Sequence, residues 1–217
     1  MTNNIIENVL NLLSSYSIET TPNVYAKYGT FSDLVPKINN VYVTYLPDDN
    51  MNKVTETAKK LTIEDFNLSG PILVADSIEK PGNLGTMIRT ARAFNFLNII
   101  SADGVTDIYN PNVIRSSIGH IFNINIFSED SEETVSVLKK LNYDIISLDP
   151  FSEKSIKSYK PNKNYALVVG SEQYGISDIW KKNASELLLI DSENHVDSLN
   201  ASGAAAIGMW ELYKNHE

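Results

Sequence analysis

The chain has 217 residues, a formal net charge of -9 from 18 basic and 27 acidic side chains, 42% hydrophobic residues and no cysteine. These figures exclude a disordered acidic polymer, a disulfide-stapled module and any chemistry built on a thiolate nucleophile or thiolate-bound metal. No apolar run reaches the ~18 residues of a membrane span and the first residues lack a basic signal region, so a soluble cytoplasmic protein is expected, without a broadly basic face for coating nucleic acid.

Residues 1–14 place Ile5, Ile6, Val9, Leu10, Leu12 and Leu13 mostly on one helical stripe. An extended piece over 16–19, a turn at Thr21-Pro22, a strand-like VYVTYL over 41–46 and a helix over 50–61 follow. Leu68-Ser69-Gly70-Pro71 reads as a break. From residue 72 onward the pattern is regular. Strand-length apolar runs occur at ILVAD (72–76), LNIIS (97–101), IFNINIF (121–127), DIISLD (144–149), YALVVG (165–170) and ELLLID (186–191). Helical segments are expected at about 84–95, 111–118, 131–142, 177–184 and 201–214. Continuous apolar strands alternating with helices predict an α/β domain built on a parallel sheet covered on both faces. The expected division is an accessory segment over 1–69 and a catalytic domain over 70–217.

Ligands of open parallel sheets sit beyond the carboxyl ends of the strands, so three strand-following loops carry the chemical expectations. In the first, Pro81-Gly82-Asn83 makes a turn, Asn83 is a candidate helix cap, and Gly85, Arg89 and Arg92 share one helical face. A small residue beside guanidinium groups suits a phosphate-bearing ligand, against the plainer reading of a capped helix with solvated arginines. The chain's only arginines, Arg89, Arg92 and Arg115, all fall between positions 89 and 115, and arginine is the side chain of choice for planar, bidentate contact with phosphate. In the second loop, Val169-Gly170-Ser171-Glu172 runs from a strand toward Gly175; this is not a dinucleotide-binding glycine pattern. In the third, Ser198-Leu199-Asn200 precedes a helix rich in small residues, where Ser198 and Asn200 serve equally well as helix caps.

Together these loops resemble the three ordered motifs of the SpoU (TrmH-type) branch of the SPOUT RNA methyltransferases. The first motif is matched by Asn83, Gly85 and Arg89-Thr90-Ala91, and the intermediate stretch by Asn110-Pro111, Arg115-Ser116-Ser117 and Gly119. The second is matched by Gly170-Ser171-Glu172 and Gly175, the third by Ile190, Ser198-Leu199-Asn200 and Ser202. The match covers roughly residues 70–217. It departs where the family has Ile-Pro-Met and this chain has Ile190-Asp191-Ser192, and where the family's Val is Ala201.

The resemblance implies a SPOUT fold whose C-terminal part is threaded into a trefoil knot, a homodimer, and S-adenosylmethionine bound at Gly170, Ile190 and Leu199, with Val169 and Gly175 beside them. It implies methyl transfer to a ribose 2'-hydroxyl of rRNA or tRNA, with no metal. Arg89, Asn83, Glu172, Ser198 and Asn200 would form the catalytic set. Arg115 and Arg92 would contact RNA. An arginine is a poor base, so Arg89 is expected to stabilise the developing alkoxide and to orient phosphate, with Asn83 orienting Arg89. Tyr174 is a candidate for stacking on a base, whereas His120 reads as structural and His195 as a surface-loop residue.

The first 67 residues resemble another family. Residues 16–34, VYVTYLP (41–47), TAKKL (57–61) and Phe66 are similar to the start of methylenetetrahydrofolate reductase, with Glu19 at the position of its catalytic acid. That enzyme is a flavin-binding barrel, and such barrels need about 250 residues; one β-α-β piece is all that fits here, so an accessory role is expected. The alternatives to an RNA methyltransferase are a knotted S-adenosylmethionine-binding module without RNA catalysis, motivated by the acidic charge, and a folate-linked flavoenzyme, which the chain length opposes.

Overall fold

Six of the apolar runs become strands. The computed structural model describes residues 68–193 and 199–216, so the expectations for residues 1–67, for Ser198 and for His195 lie outside the described residues. The element order is β1 (Ile72–Asp76), α1 (Pro81–Ala93), β2 (Asn98–Ala102), α2 (Pro111–Ser116), a 3-10 turn (His120–Asn123) and β3 (Asn125–Glu129). It continues with α3 (Ser131–Lys140), β4 (Asp144–Leu148), a second 3-10 turn (Ile156–Ser158), β5 (Tyr165–Val169), α4 (Asp178–Asn183), β6 (Glu186–Leu188) and α5 (Ala201–His216).

The strands pair in parallel in the order β3-β2-β1-β5-β4-β6. β1 lies between β2 and β5, with Ile72 opposite both Asn98 and Ala166, and all five of its residues are buried. This is why Ile72-Leu73-Val74-Ala75 reads as continuous rather than alternating hydrophobicity: both faces of the strand are covered. Each large aliphatic side chain buried there contributes roughly 1.5–3 kcal/mol. The sheet runs outward from β1 in one direction and from β5 in the other, so the β1–β5 junction is where strand order reverses, and a cavity lies beside it at the ends of β4, β5 and β6.

Helix termini follow local chemistry. In α3 the Asp130 side chain accepts from the Glu133 N–H at 2.7 Å, Glu132 and Glu133 occupy the first turn, and Lys139 and Lys140 occupy the last, matching the helix dipole at both ends. α2 begins at Pro111 behind Asn110, whose side chain accepts from the Asn112 N–H at 2.9 Å. Trp180 of α4 is completely buried and donates from Nε1 to Ser131 Oγ at 3.1 Å, tying α4 to the start of α3.

Three expectations are corrected. IFNINIF is not one strand: residues 120–123 form a 3-10 turn and the strand starts at Asn125. Ile118 and Gly119 adopt φ of 51° and 77°, turning the chain sharply, and Ile121 and Phe122 are buried side by side rather than alternating. Asn83 is not the cap of α1: Pro81 takes the first helical position, Lys80 precedes it, and Asn83 lies inside the first turn with its side chain free for other work. Gly85 does not open space for a ligand beside the arginines. It is buried where α1 crosses α2; a Cβ there would stand 1.9 Å from Ser116 Oγ and 2.6 Å from the Val113 carbonyl oxygen. The remaining element ends shift by a few residues, and the apolar run at 186–191 keeps only Glu186–Leu188 as strand.

Candidate active site

Because all strands run in parallel, the loops that follow β1, β5 and β6 emerge at one edge of the sheet. Asn83 comes from the start of α1, Glu172 from the loop after β5, and Asn200 from the residue before α5. Their side chains meet. Asn83 Nδ2 donates to Glu172 Oε1 at 2.9 Å, Asn200 Nδ2 donates to Asn83 Oδ1 at 3.1 Å, and Asn200 Nδ2 also donates to Glu172 Oε1. Asn200 serves two structures at once, since its Oδ1 accepts from the Ser202 and Gly203 N–H groups at 3.0 and 3.3 Å and from Ser202 Oγ at 2.6 Å. The amide oxygen of Asn200 thus caps α5 while its nitrogen joins the cluster with Asn83 and Glu172.

The remaining carboxylate oxygen, Glu172 Oε2, is paired with Lys80 Nζ, a residue that sequence reasoning did not single out. Hydrogen bonds from Lys80 and Asn83, foremost among the causes, hold the Glu172 carboxyl below its usual range. With both oxygens occupied by donors, Glu172 is an organising anion and a poor proton acceptor.

Beside this cluster lies a cavity of about 390 Å³. Val169, Gly170, Gly175, Ile190 and Leu199 all line it, with Leu148, Ile176 and Leu188 as further apolar wall. Gly170 follows β5 under a tight turn in which Ser171 and Gly175 exchange backbone hydrogen bonds, N–H to carbonyl, at 3.1 and 3.0 Å. A Cβ on Gly170 would stand 2.0 Å from the Gly175 carbonyl carbon, so only glycine lets the turn fold back over the strand end. Asp191 is held by Ser155 and is absent from the lining, whereas Ser192 is part of it. Tyr174 and Phe151 stand at the cavity with 75% and 88% of their surfaces exposed, both on anchored turns: the Tyr174 N–H donates to Ser171 Oγ at 3.1 Å and the Phe151 N–H to Asp149 Oδ1 at 3.0 Å.

Arg89 and Arg92 are exposed along α1, and no hydrogen-bond partner is found for the Arg89 guanidinium among the described residues; the expected contact with Asn83 is not made, because Asn83 is engaged with Glu172 and Asn200. Arg115 is exposed on α2 and donates to Asn112 Oδ1 at 3.2 Å. His120 is half-buried at the start of the first 3-10 turn.

At the β1–β5 junction Asp76 is fully buried. Its Oδ2 accepts from the Ser177 N–H at 2.6 Å and its Oδ1 from Ser77 Oγ at 3.1 Å, pinning the loop after β5 to the end of β1. Burial raises its pKa above the usual carboxylate value despite these bonds.

The chain is similar to known RNA methyltransferases. The chain is 28% identical over 175 residues to the 23S rRNA (guanosine(2553)-2'-O)-methyltransferase RlmP of Bacillus subtilis, covering 77% of this chain and 71% of that protein. It is 28% identical over 144 residues to the 23S rRNA (adenosine(1067)-2'-O)-methyltransferase of Streptomyces azureus, of which it spans 54%. Among solved structures, an RNA 2'-O ribose methyltransferase superposes with a TM-score of 0.66 at 31% identity, covering 72% of this chain and 61% of that one. The fold is shared with the SpoU methyltransferase AviRb from Streptomyces viridochromogenes in complex with the cofactor AdoMet, with a TM-score of 0.65, 23% identity and 70% of this chain covered. The model of the SpoU rRNA methylase family matches residues 70–210, the stretch that carries the parallel sheet, the Asn83–Glu172–Asn200 cluster and the cavity, and the chain belongs to that family.

Proposed function

We propose that this protein is an S-adenosylmethionine-dependent RNA methyltransferase that modifies a ribose 2'-hydroxyl. The observation that carries the reading is the convergence of Asn83, Glu172 and Asn200, from three loops far apart in the chain, at the edge of the cavity that Gly170, Ile190 and Leu199 line. The cavity suits the cofactor. Its volume is within the roughly 300–1,000 Å³ of small-molecule sites, its walls are apolar enough for a flat ring, and the loop residues Gly170, Ile190 and Leu199 line it. When bound there, S-adenosylmethionine supplies an electrophilic methyl group on a sulfonium.

The chain's own residues do the rest by placement and charge. Arg89, exposed on α1, stabilises the developing alkoxide and orients an RNA phosphate, while the 2'-hydroxyl proton is released to solvent as the methyl group leaves the sulfonium. Glu172 holds Asn83 and Asn200 in fixed positions at the edge of the cavity. Ser198 completes the pocket in this reading. Arg92 and Arg115 add phosphate contacts, so a small basic strip operates on a chain whose overall charge is negative. The relatives' substrates make ribosomal RNA the first target to test, followed by tRNA.

The active form in this reading is a homodimer, with the C-terminal segment threaded as a knot. In support, Phe94, at the end of α1, packs with Trp210 and Tyr213 of α5 at ring-centroid distances of 5.7 and 5.8 Å, and Ile207, Trp210 and Tyr213 remain 38–46% exposed as one apolar face. The accessory role proposed for residues 1–69 is separate from this chemistry. The experiment is transfer of labelled methyl from S-adenosylmethionine to total RNA, followed by mapping of the 2'-O-methyl positions. Label entering RNA with the wild-type protein and lost with Arg89→Ala is expected; absence of label in rRNA and tRNA overturns the proposal.

A further inference from the structure

We infer that Lys80 is a positioning residue for methyl transfer, fixing the second oxygen of Glu172 so that Asn83 and Asn200 keep the first. The inference rests on the methyltransferase reading for its consequence and on the geometry for its cause. Glu172 holds two amides that come from separate loops and that also bond each other at 3.1 Å, and a carboxylate with one oxygen free rotates about its terminal bond. The Lys80 ammonium removes that freedom: it pairs with Oε2 while Asn83 and Asn200 occupy Oε1. Among the described residues Lys80 is the charged group facing Glu172; the other facing donors, Asn83, Asn200 and the Ala201 N–H, are neutral.

The backbone of Lys80 is itself immobilised. The Glu79 carbonyl accepts from Thr106 Oγ1 at 2.5 Å, and the Lys80 carbonyl accepts from the Asn83 and Leu84 N–H groups at 3.0 and 3.2 Å as α1 begins. Pro81 follows, which restricts the Lys80 backbone further, and Lys80 sits in the extended region at φ -88°, ψ 117°. The side chain therefore leaves a fixed point toward Glu172. It is 66% exposed, against 20% for Glu172, so the pair contributes little to folding stability and its loss does not unfold the domain. Its effect lies in geometry, and RNA covering the site would strengthen it by excluding water.

The test compares Lys80→Met, Lys80→Arg and Glu172→Gln by steady-state methyl transfer over a range of pH, with thermal melting of each variant. Lys80→Met is expected to lower kcat by roughly ten- to a hundredfold, the scale of a small misplacement. The KM for S-adenosylmethionine and the melting temperature are expected to stay near wild type. Lys80→Arg restores most of the rate. The acid limb of the pH profile moves to higher pH in Lys80→Met, because Glu172 then protonates more readily, and Lys80→Met added to Glu172→Gln costs nothing further. Carbon-detected titration of the Glu172 carboxyl by NMR, which needs no activity, is expected to show the same upward movement. Wild-type kcat in Lys80→Met overturns the inference. So does a raised KM for RNA with an unmoved acid limb and an unmoved carboxyl titration, which would make Lys80 an RNA contact. If the wild-type protein transfers no methyl to RNA, the functional reading fails while the titration still decides whether Lys80 governs Glu172.

Discussion

Replacing Gly170 by alanine tests the proposed cofactor site through one methyl group. The added Cβ would meet the Gly175 carbonyl carbon at 2.0 Å, its oxygen at 2.1 Å and the Ile176 nitrogen at 2.2 Å. Ordinary contact begins at 3.4 Å, so the nearest atom must retreat by about 1.4 Å, and every atom in the way is backbone. No side-chain rotation relieves this. The turn moves instead, and its two hydrogen bonds between Ser171 and Gly175 stretch or break, at about 1 kcal/mol each. Overpacking strain adds about 1–3 kcal/mol, for an expected destabilisation of roughly 3–5 kcal/mol. Urea denaturation measures that value, and calorimetric titration with S-adenosylmethionine measures the accompanying loss of affinity, since Ser171–Gly175 forms part of the cavity wall. A Gly170→Ala protein within 0.5 kcal/mol of wild type that binds the cofactor equally well would refute the reasoning, because the turn would then have to yield freely.

Gly85→Ala is expected to cost roughly 1–3 kcal/mol in urea denaturation by forcing α1 from α2, with Ser116→Ala recovering part of the loss, since Ser116 Oγ is the nearest obstacle. Asp76→Ala is expected to cost about 1–3 kcal/mol by leaving the Ser177 N–H without its acceptor, whereas Asp76→Asn retains an acceptor oxygen. The folded pKa of Asp76 is raised, so its contribution is present below the ordinary value of 3.8 and is lost as pH rises through the folded value; the stability of Asp76→Asn relative to wild type should therefore grow across that window, as followed by denaturation at several pH values. Trp210→Asp is expected to weaken the proposed dimer by roughly 2 kcal/mol or more, read as a shift to monomer by light scattering after gel filtration.

Much of the sheet was legible because its strands are buried on both faces and bounded by turn residues. The apolar run at 72–76 coincides with the strand Ile72–Asp76, and the runs at 144–149 and 165–170 exceed the strands Asp144–Leu148 and Tyr165–Val169 by one residue each. The failure at 121–127 has a physical cause: Gly119 and Ile118 at positive φ reset the chain direction, and hydropathy carries no record of that. Asn83 has the residue type of a cap, but Pro81 suits the first helical position and moves the start of α1 upstream. Motif order brought Asn83, Glu172 and Asn200 onto one list, and the structure brings their side chains into contact. Lys80 stayed invisible because its partner lies 92 residues away and a lysine before proline has no local signature. Gly85 was legible as a close approach, but whether helix or ligand approaches it depends on where α2 packs.

The contacts that build the cluster span 89 residues between Asn83 and Glu172 and 117 between Asn83 and Asn200. Such a cluster has no local precursor. During synthesis it stays unmade until the chain has extended past α5, because Asn200 is fixed only when the first turn of that helix forms over its own side chain. Folding therefore places the organising anion late, after long-range parallel pairing that is intrinsically slow. A nascent or partly folded chain therefore lacks the assembled cluster, and on the proposed reading fraying of the first turn of α5 would impair methyl transfer while leaving the sheet intact.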